Sequence, residues 1–117
     1  MDLLLGSGDK LLVTHRRLFE ADAARYFVGE VLAYQDGIVK VRGHSFVRDV
    51  SSTRLLRKDD PRTKLVSLSS GAVIAYQLPG DTDVAAVEIV WEGTGLQLKE
   101  GGRVLMNLAE LPRQHKI

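Results

Sequence analysis

RYFVGEVLAYQDGIVKVRGHSFVR, residues Arg25 to Arg48, reads as a β-hairpin, and the rest of the chain reads as sheet built onto it. Asp36-Gly37 stands between two runs rich in Val, Tyr, Phe and Ile. A type I′ turn needs positive φ at both central residues, which Asp tolerates and Gly adopts freely. With these two as the loop, Gln35 lies opposite Ile38, Tyr34 opposite Val39, Leu32 opposite Val41 and Val28 opposite Ser45. Directly opposed residues share a face. One face then carries Tyr26, Val28, Leu32, Tyr34, Val39, Val41 and Val47. The other carries Lys40, Arg42, His44 and Arg48, with Val31, Phe27 and Phe46 among them. A one-residue slip would mix the two sets. Glu30 falls on the apolar face, opposite Gly43. A bulge at Gly29 or Gly43 would re-aim it, and an exposed edge would accommodate it equally.

The 117 residues suit one domain, residues 1–117, and 44% hydrophobic composition is enough for a core. Net charge is only +1, so nothing drives the whole chain toward nucleic acid or an anionic membrane. The absence of cysteine excludes disulfides, thiolate metal sites and cysteine nucleophiles. MDLLLGSGDK has no basic flank and too short an apolar run for a signal peptide or a membrane span. The expectation is a cytoplasmic β-domain without a cofactor. The charge is unevenly placed. From Lys40 to Lys64 eight cationic residues face only Asp49, Asp59 and Asp60, a net of +5; with the whole chain at +1, the remainder carries −4.

Around the hairpin, residues 1–9 read as a flexible lead-in broken at Gly6-Ser7-Gly8. Lys10 to Phe19 reads as a first strand whose alternation is impure, so neither face is clearly inward. Residues 20–24 form a helix-prone insert or a long turn. Residues 49–61, DVSSTRLLRKDDP, lack strand periodicity and read as a long loop. Thr63 to Leu68 and Ala72 to Leu78 read as a second hairpin around Ser69-Ser70-Gly71, apolar on both faces. Residues 84–108 read as a three-stranded meander turning at Glu92-Gly93-Thr94-Gly95 and Glu100-Gly101-Gly102, and residues 112–117 as a frayed tail. About eight short strands with a turn signal every ~8 to 12 residues indicate an all-β barrel or sandwich.

Residues 11–78 resemble the Sm-like family, the small SH3-type barrels of Sm, LSm and Hfq proteins. Phe27-Val28-Gly29-Glu30-Val31 and Gln35-Asp36-Gly37 stand where the family has its first motif. Leu65 to Leu68, Ser69-Ser70-Gly71 and Ala72 to Tyr76 stand in place of its second, with residues 49–61 as the variable loop between them. The resemblance implies a small SH3/Sm-like barrel, here with an added C-terminal β-meander, and a homo-oligomer assembled through sheet edges. A sandwich or closed barrel of another topology is the alternative. The family's base-reading residues are not matched: Val39 and Ser70 occupy those places.

The candidate nucleic-acid-binding set is Lys40, Arg42, His44 and Arg48 beside Phe27 and Phe46, with Arg54, Arg57, Lys58, Arg62 and Lys64 in or near the 49–61 loop. Cations interleaved with aromatics can track phosphates and stack bases, which makes single-stranded RNA the candidate partner. The competing reading is a solvated face whose arginine stems cover apolar surface. His15, His44 and His115 have no metal-ligand spacing and read as ordinary surface histidines. Asp36 is explained by its turn, the Ser-Ser pairs are turn chemistry, and the glycine-rich turns precede no helix that could cradle a phosphate. No stretch carries a catalytic signature, so the expected function is a non-enzymatic binding module. The alternative is a structural or protein-interaction domain that assembles through its edges. A third possibility is a small-molecule binder whose pocket is lined by Tyr26, Tyr34 or Trp91.

Overall fold

The computed structural model describes residues 4–16, 25–48, 55–92 and 95–108. Its regular structure there is entirely β-sheet: β1 (Lys10–His15), β2 (Tyr26–Gln35), β3 (Ile38–Arg48), β4 (Leu55–Arg57), β5 (Arg62–Ser67), β6 (Val73–Leu78), β7 (Val87–Glu92), β8 (Gly95–Glu100) and β9 (Arg103–Asn107). The strands form two antiparallel sheets. The larger has the order β4-β3-β2-β1-β6, with β5 also paired to β3; the smaller has the order β7-β8-β9. Among the described residues no helix is long and apolar enough to cross a membrane.

The central hairpin turns where the sequence requires it. Asp36 has φ 51° and Gly37 φ 83°, the positive pair a type I′ turn needs. Gln35 pairs with Ile38 and Tyr34 with Val39, but beyond Ala33–Lys40 the register shifts and Val31 pairs with Val41. The bulge therefore falls on Leu32, not on Gly29 or Gly43. It turns Val31 inward, fully buried, and leaves Leu32 on the surface. Val28 lies opposite His44 rather than Ser45, and Glu30 opposite Arg42. That pairing removes the misplaced acid which the unbulged register produced. Gly29 and Gly43 oppose each other, and a Cβ on Gly43 would sit 1.9 Å from the Val28 carbonyl oxygen. The two glycines allow a close strand approach rather than a bulge.

Three further sequence expectations are corrected. The lead-in is tied down from Gly6: the Gly8 amide donates to the Val31 carbonyl, and the Val31 amide to Asp9. The 49–61 loop contains β4, which pairs with Phe46, Val47 and Arg48, while residues 49–54 lie outside the described residues. Residues 63–78 are not a hairpin. Arg62–Ser67 pairs with β3 and Val73–Leu78 with β1, so the chain crosses between opposite ends of the sheet. The insert at 20–24 and the tail at 112–117 also lie outside the described residues.

The larger sheet is apolar on both faces, which explains the impure alternation of β1: Leu11, Leu12 and Val13 are all buried. On its inner face Leu11, Val13, Phe27, Val31, Val39 and Val41 form one core, with Val66 of β5 and Val73 of β6 packed against it. Strands at the two ends of the sheet thus share one core, so the sheet is curled. On the outer face Leu12, Val28, Phe46 and Leu78 pack against Val87, Ile89, Leu98 and Leu108. The C-terminal meander, found where the turn signals placed it, is thus a second layer over that outer face. The Arg57 guanidinium donates to the Ala85 carbonyl and fastens the meander's approach to β4.

Candidate ligand-binding cleft

β5 and β6 bound the curled sheet, and among the described residues neither pairs with the other. A cleft of about 680 Å³ opens beside them, where β2 begins and β3 ends. Its floor is one row of side chains running across three strands. Val13 pairs with Phe27, and Phe27 with Ser45. Directly opposed residues share a face, so all three point to the inner side. Phe46, Val47, Val66 and Val73 extend the apolar lining.

The polar lining is cationic. His15, Arg25, Arg48 and Lys64 line the cleft, with Ser45, Ser67 and Ser70 between them, and among the described residues no Asp or Glu does. All four cationic or basic side chains are exposed. Lys64 opposes Val41 on the inner face, and its Nζ lies 4.6 Å from the centroid of the Phe27 ring. The ring's quadrupole attracts the ammonium. Arg103 of β9 forms ion pairs with Asp81 and Glu100. One serine is occupied locally: Ser70 Oγ donates to the Ser67 carbonyl and accepts from the Ala72 amide.

The basic stretch is divided by this architecture. Lys40 and Arg42 lie exposed on the outer face of β3, and Arg42 donates to Thr63 Oγ1 at 3.3 Å. His44 is half-buried, and its Nδ1 donates to the Lys58 carbonyl at 2.9 Å. Arg48 reaches the cleft from the end of β3. Arg57 is engaged with Ala85; Lys58, Arg62 and Lys64 border an adjoining hollow that also contains Asp59 and Asp60. Arg54 lies outside the described residues. Phe27 and Phe46, 4% and 2% exposed, belong to different cores on opposite faces of the sheet. The proposed interleaving of these rings with the outer cations is corrected accordingly. The bulge and the covering meander remove both rings from solvent, so neither offers a stacking face.

His15 and Arg25 were absent from the sequence-derived set. Lys64 belonged to the basic stretch, but its direction follows only from the β3–β5 register. Nothing local marks His15 or Arg25, which strand pairing brings to the same cleft. Tyr26 lines this cleft, whereas Tyr34 lines a shallow hollow at the hairpin tip and Trp91 a groove between β4 and β7. No family model, curated protein or solved structure matches the chain.

Proposed function

We propose that this chain is a non-enzymatic binding module that holds an anionic ligand in the cleft beside β5 and β6. The carrying observation is the lining: among the described residues, Arg25, Arg48, Lys64 and His15 surround an apolar floor with no carboxylate between them. Cations above low-dielectric walls focus their field into the cleft and attract a negative group. The volume of about 680 Å³ falls within the roughly 300–1,000 Å³ of small-molecule sites. Single-stranded RNA is one anion this reading admits, bound by its phosphates rather than by stacking. The test is titration of anions into the wild type, Lys64→Gln and Arg48→Gln, at low and high salt. Affinity that falls with salt and with either substitution supports the reading. Anion binding that is indifferent to both substitutions refutes it.

A second reading is favoured by Leu65, 73% exposed on β5, whose outer edge has no partner among the described residues. An open strand edge bearing an exposed apolar side chain can pair with another chain. This is the homo-oligomeric scaffold that the Sm-like resemblance implies. Light scattering of the wild type and Leu65→Glu tests it. An oligomer dispersed by the substitution supports edge pairing, and a wild-type monomer at every concentration excludes it.

A further inference from the structure

We infer that the ligand of this cleft is an amphiphile, an apolar body carrying one anionic head, with a medium-length alkyl carboxylate or alkyl phosphate as the simplest form. The inference rests on the proposed anion-binding role and adds the class of ligand. Its basis is the division of the cleft into an apolar floor and a cationic rim. Half-buried Val47, Val66 and Val73, lying over the buried Val13 and Phe27, supply a surface that hydrogen-bonds with nothing, while Arg48 and Lys64 stand exposed beside it. A small inorganic anion would leave that floor wet, and a neutral hydrocarbon would leave the cations unmatched.

A nucleotide base fits this lining less well. Base recognition uses amide or carboxylate side chains on the base edges, or an exposed ring for stacking. Among the described residues the lining contains no Asn, Gln, Asp or Glu. Phe27 is buried beneath the Lys64 ammonium, so its ring does not present an open face. An alkyl chain needs neither kind of contact. A carboxylate or phosphate head can accept hydrogen bonds from Arg48 and Lys64, and charge-assisted bonds of this kind are the strong ones. Lys64 stands over the Phe27 ring at the inner face, and among the described residues no salt bridge ties its ammonium to a carboxylate.

The experiment is calorimetric titration of the whole chain with dodecanoate and dodecyl phosphate below their micelle concentrations. Dodecanol, inorganic phosphate and hexauridylate serve as comparisons. The variants are Lys64→Gln, Arg48→Gln and Val66→Asp, each first checked for a wild-type melting temperature. If Val66→Asp fails to fold, the two surface variants and the dodecanol comparison still decide. The expected result is that both anionic amphiphiles bind at least tenfold more tightly than dodecanol or phosphate. Each cation-to-Gln variant then weakens them by about tenfold, the equivalent of about 1.4 kcal/mol. A difference between dodecanoate and dodecyl phosphate identifies which head the rim suits. Equal affinity for dodecanol and dodecanoate overturns the amphiphile assignment. So does hexauridylate binding that depends on Lys64 while dodecanoate does not bind, although anion binding at the cleft would then stand. No binding by any anion overturns both.

Discussion

Replacing Gly43 with alanine will destabilise the protein more than any other single methyl addition to a described glycine. Gly43 faces Gly29 across β2 and β3, at the point where the curled sheet brings these strands together. A Cβ there would lie 1.9 Å from the Val28 carbonyl oxygen and 2.5 Å from the Gly29 Cα. Both are backbone atoms of a paired strand and cannot rotate away. Overpacking of a well-packed site costs about 1–3 kcal/mol, and a collision with fixed backbone belongs at or above the upper end. Reduced freedom of the unfolded chain returns roughly 0.4–1 kcal/mol of this, leaving a net loss of about 2 kcal/mol or more. At roughly 4 °C per kcal/mol for a domain of this size, the melting temperature falls by about 8 °C or more. Differential scanning calorimetry measures it, with Gly102→Ala as control, because a Cβ at Gly102 meets nothing within 4 Å. The control stays within about 0.5 kcal/mol of wild type. A Gly43→Ala protein that melts within about 2 °C of wild type would refute the close approach and the β2–β3 register with it.

Leu98, fully buried in the meander against the outer face of the larger sheet, makes Leu98→Ala a test of the two-layer arrangement. Urea denaturation will show a loss of about 2–5 kcal/mol, and a loss below about 1 kcal/mol means that the layers do not pack there. Thr82 is 2% exposed, and among the described residues its hydroxyl has no hydrogen-bond partner. Thr82→Val will therefore be neutral or stabilising by up to about 1 kcal/mol in the same assay, whereas a clear loss means that the hydroxyl is satisfied. Arg103 reaches both Asp81 and Glu100. Its hydrogen bond and charge hold the Asp81 carboxyl below its usual value; Glu100 is lowered first by the Asp83 amide and then by Arg103. Carboxylates lowered in the folded state stabilise it above their unfolded pKa of about 4, and this contribution disappears as pH falls through the lower folded values. Thermal melts from about pH 7 to about pH 2.5 will show the advantage of wild type over Arg103→Ala shrinking toward the acid end. An advantage that grows on acidification contradicts the assignment.

Local chemistry determined much of this protein. Asp36-Gly37 fixes the central turn, because only a few residues accept positive φ in succession. The alternating runs and glycine turns after residue 84 set out the meander, because neighbouring strands joined by tight turns pair with each other. The all-β class follows from these features. Pairings between distant strands were decided by tertiary structure alone. The 63–78 segment has the pattern of a hairpin, yet its halves gain more by extending the two ends of a curled sheet, where Val66 and Val73 reach a common core. One extra residue at Leu32 reverses which side chains face inward along the rest of β2, since side-chain direction has a period of two. That single bulge, with the meander laid over the outer face, buries Phe27 and Phe46 in separate cores and divides the basic stretch between two surfaces. The cleft itself joins His15, Arg25, Arg48 and Lys64, which are far apart in the chain. Sequence supplied their charges, while the registers of β1, β2, β3 and β5 brought them together.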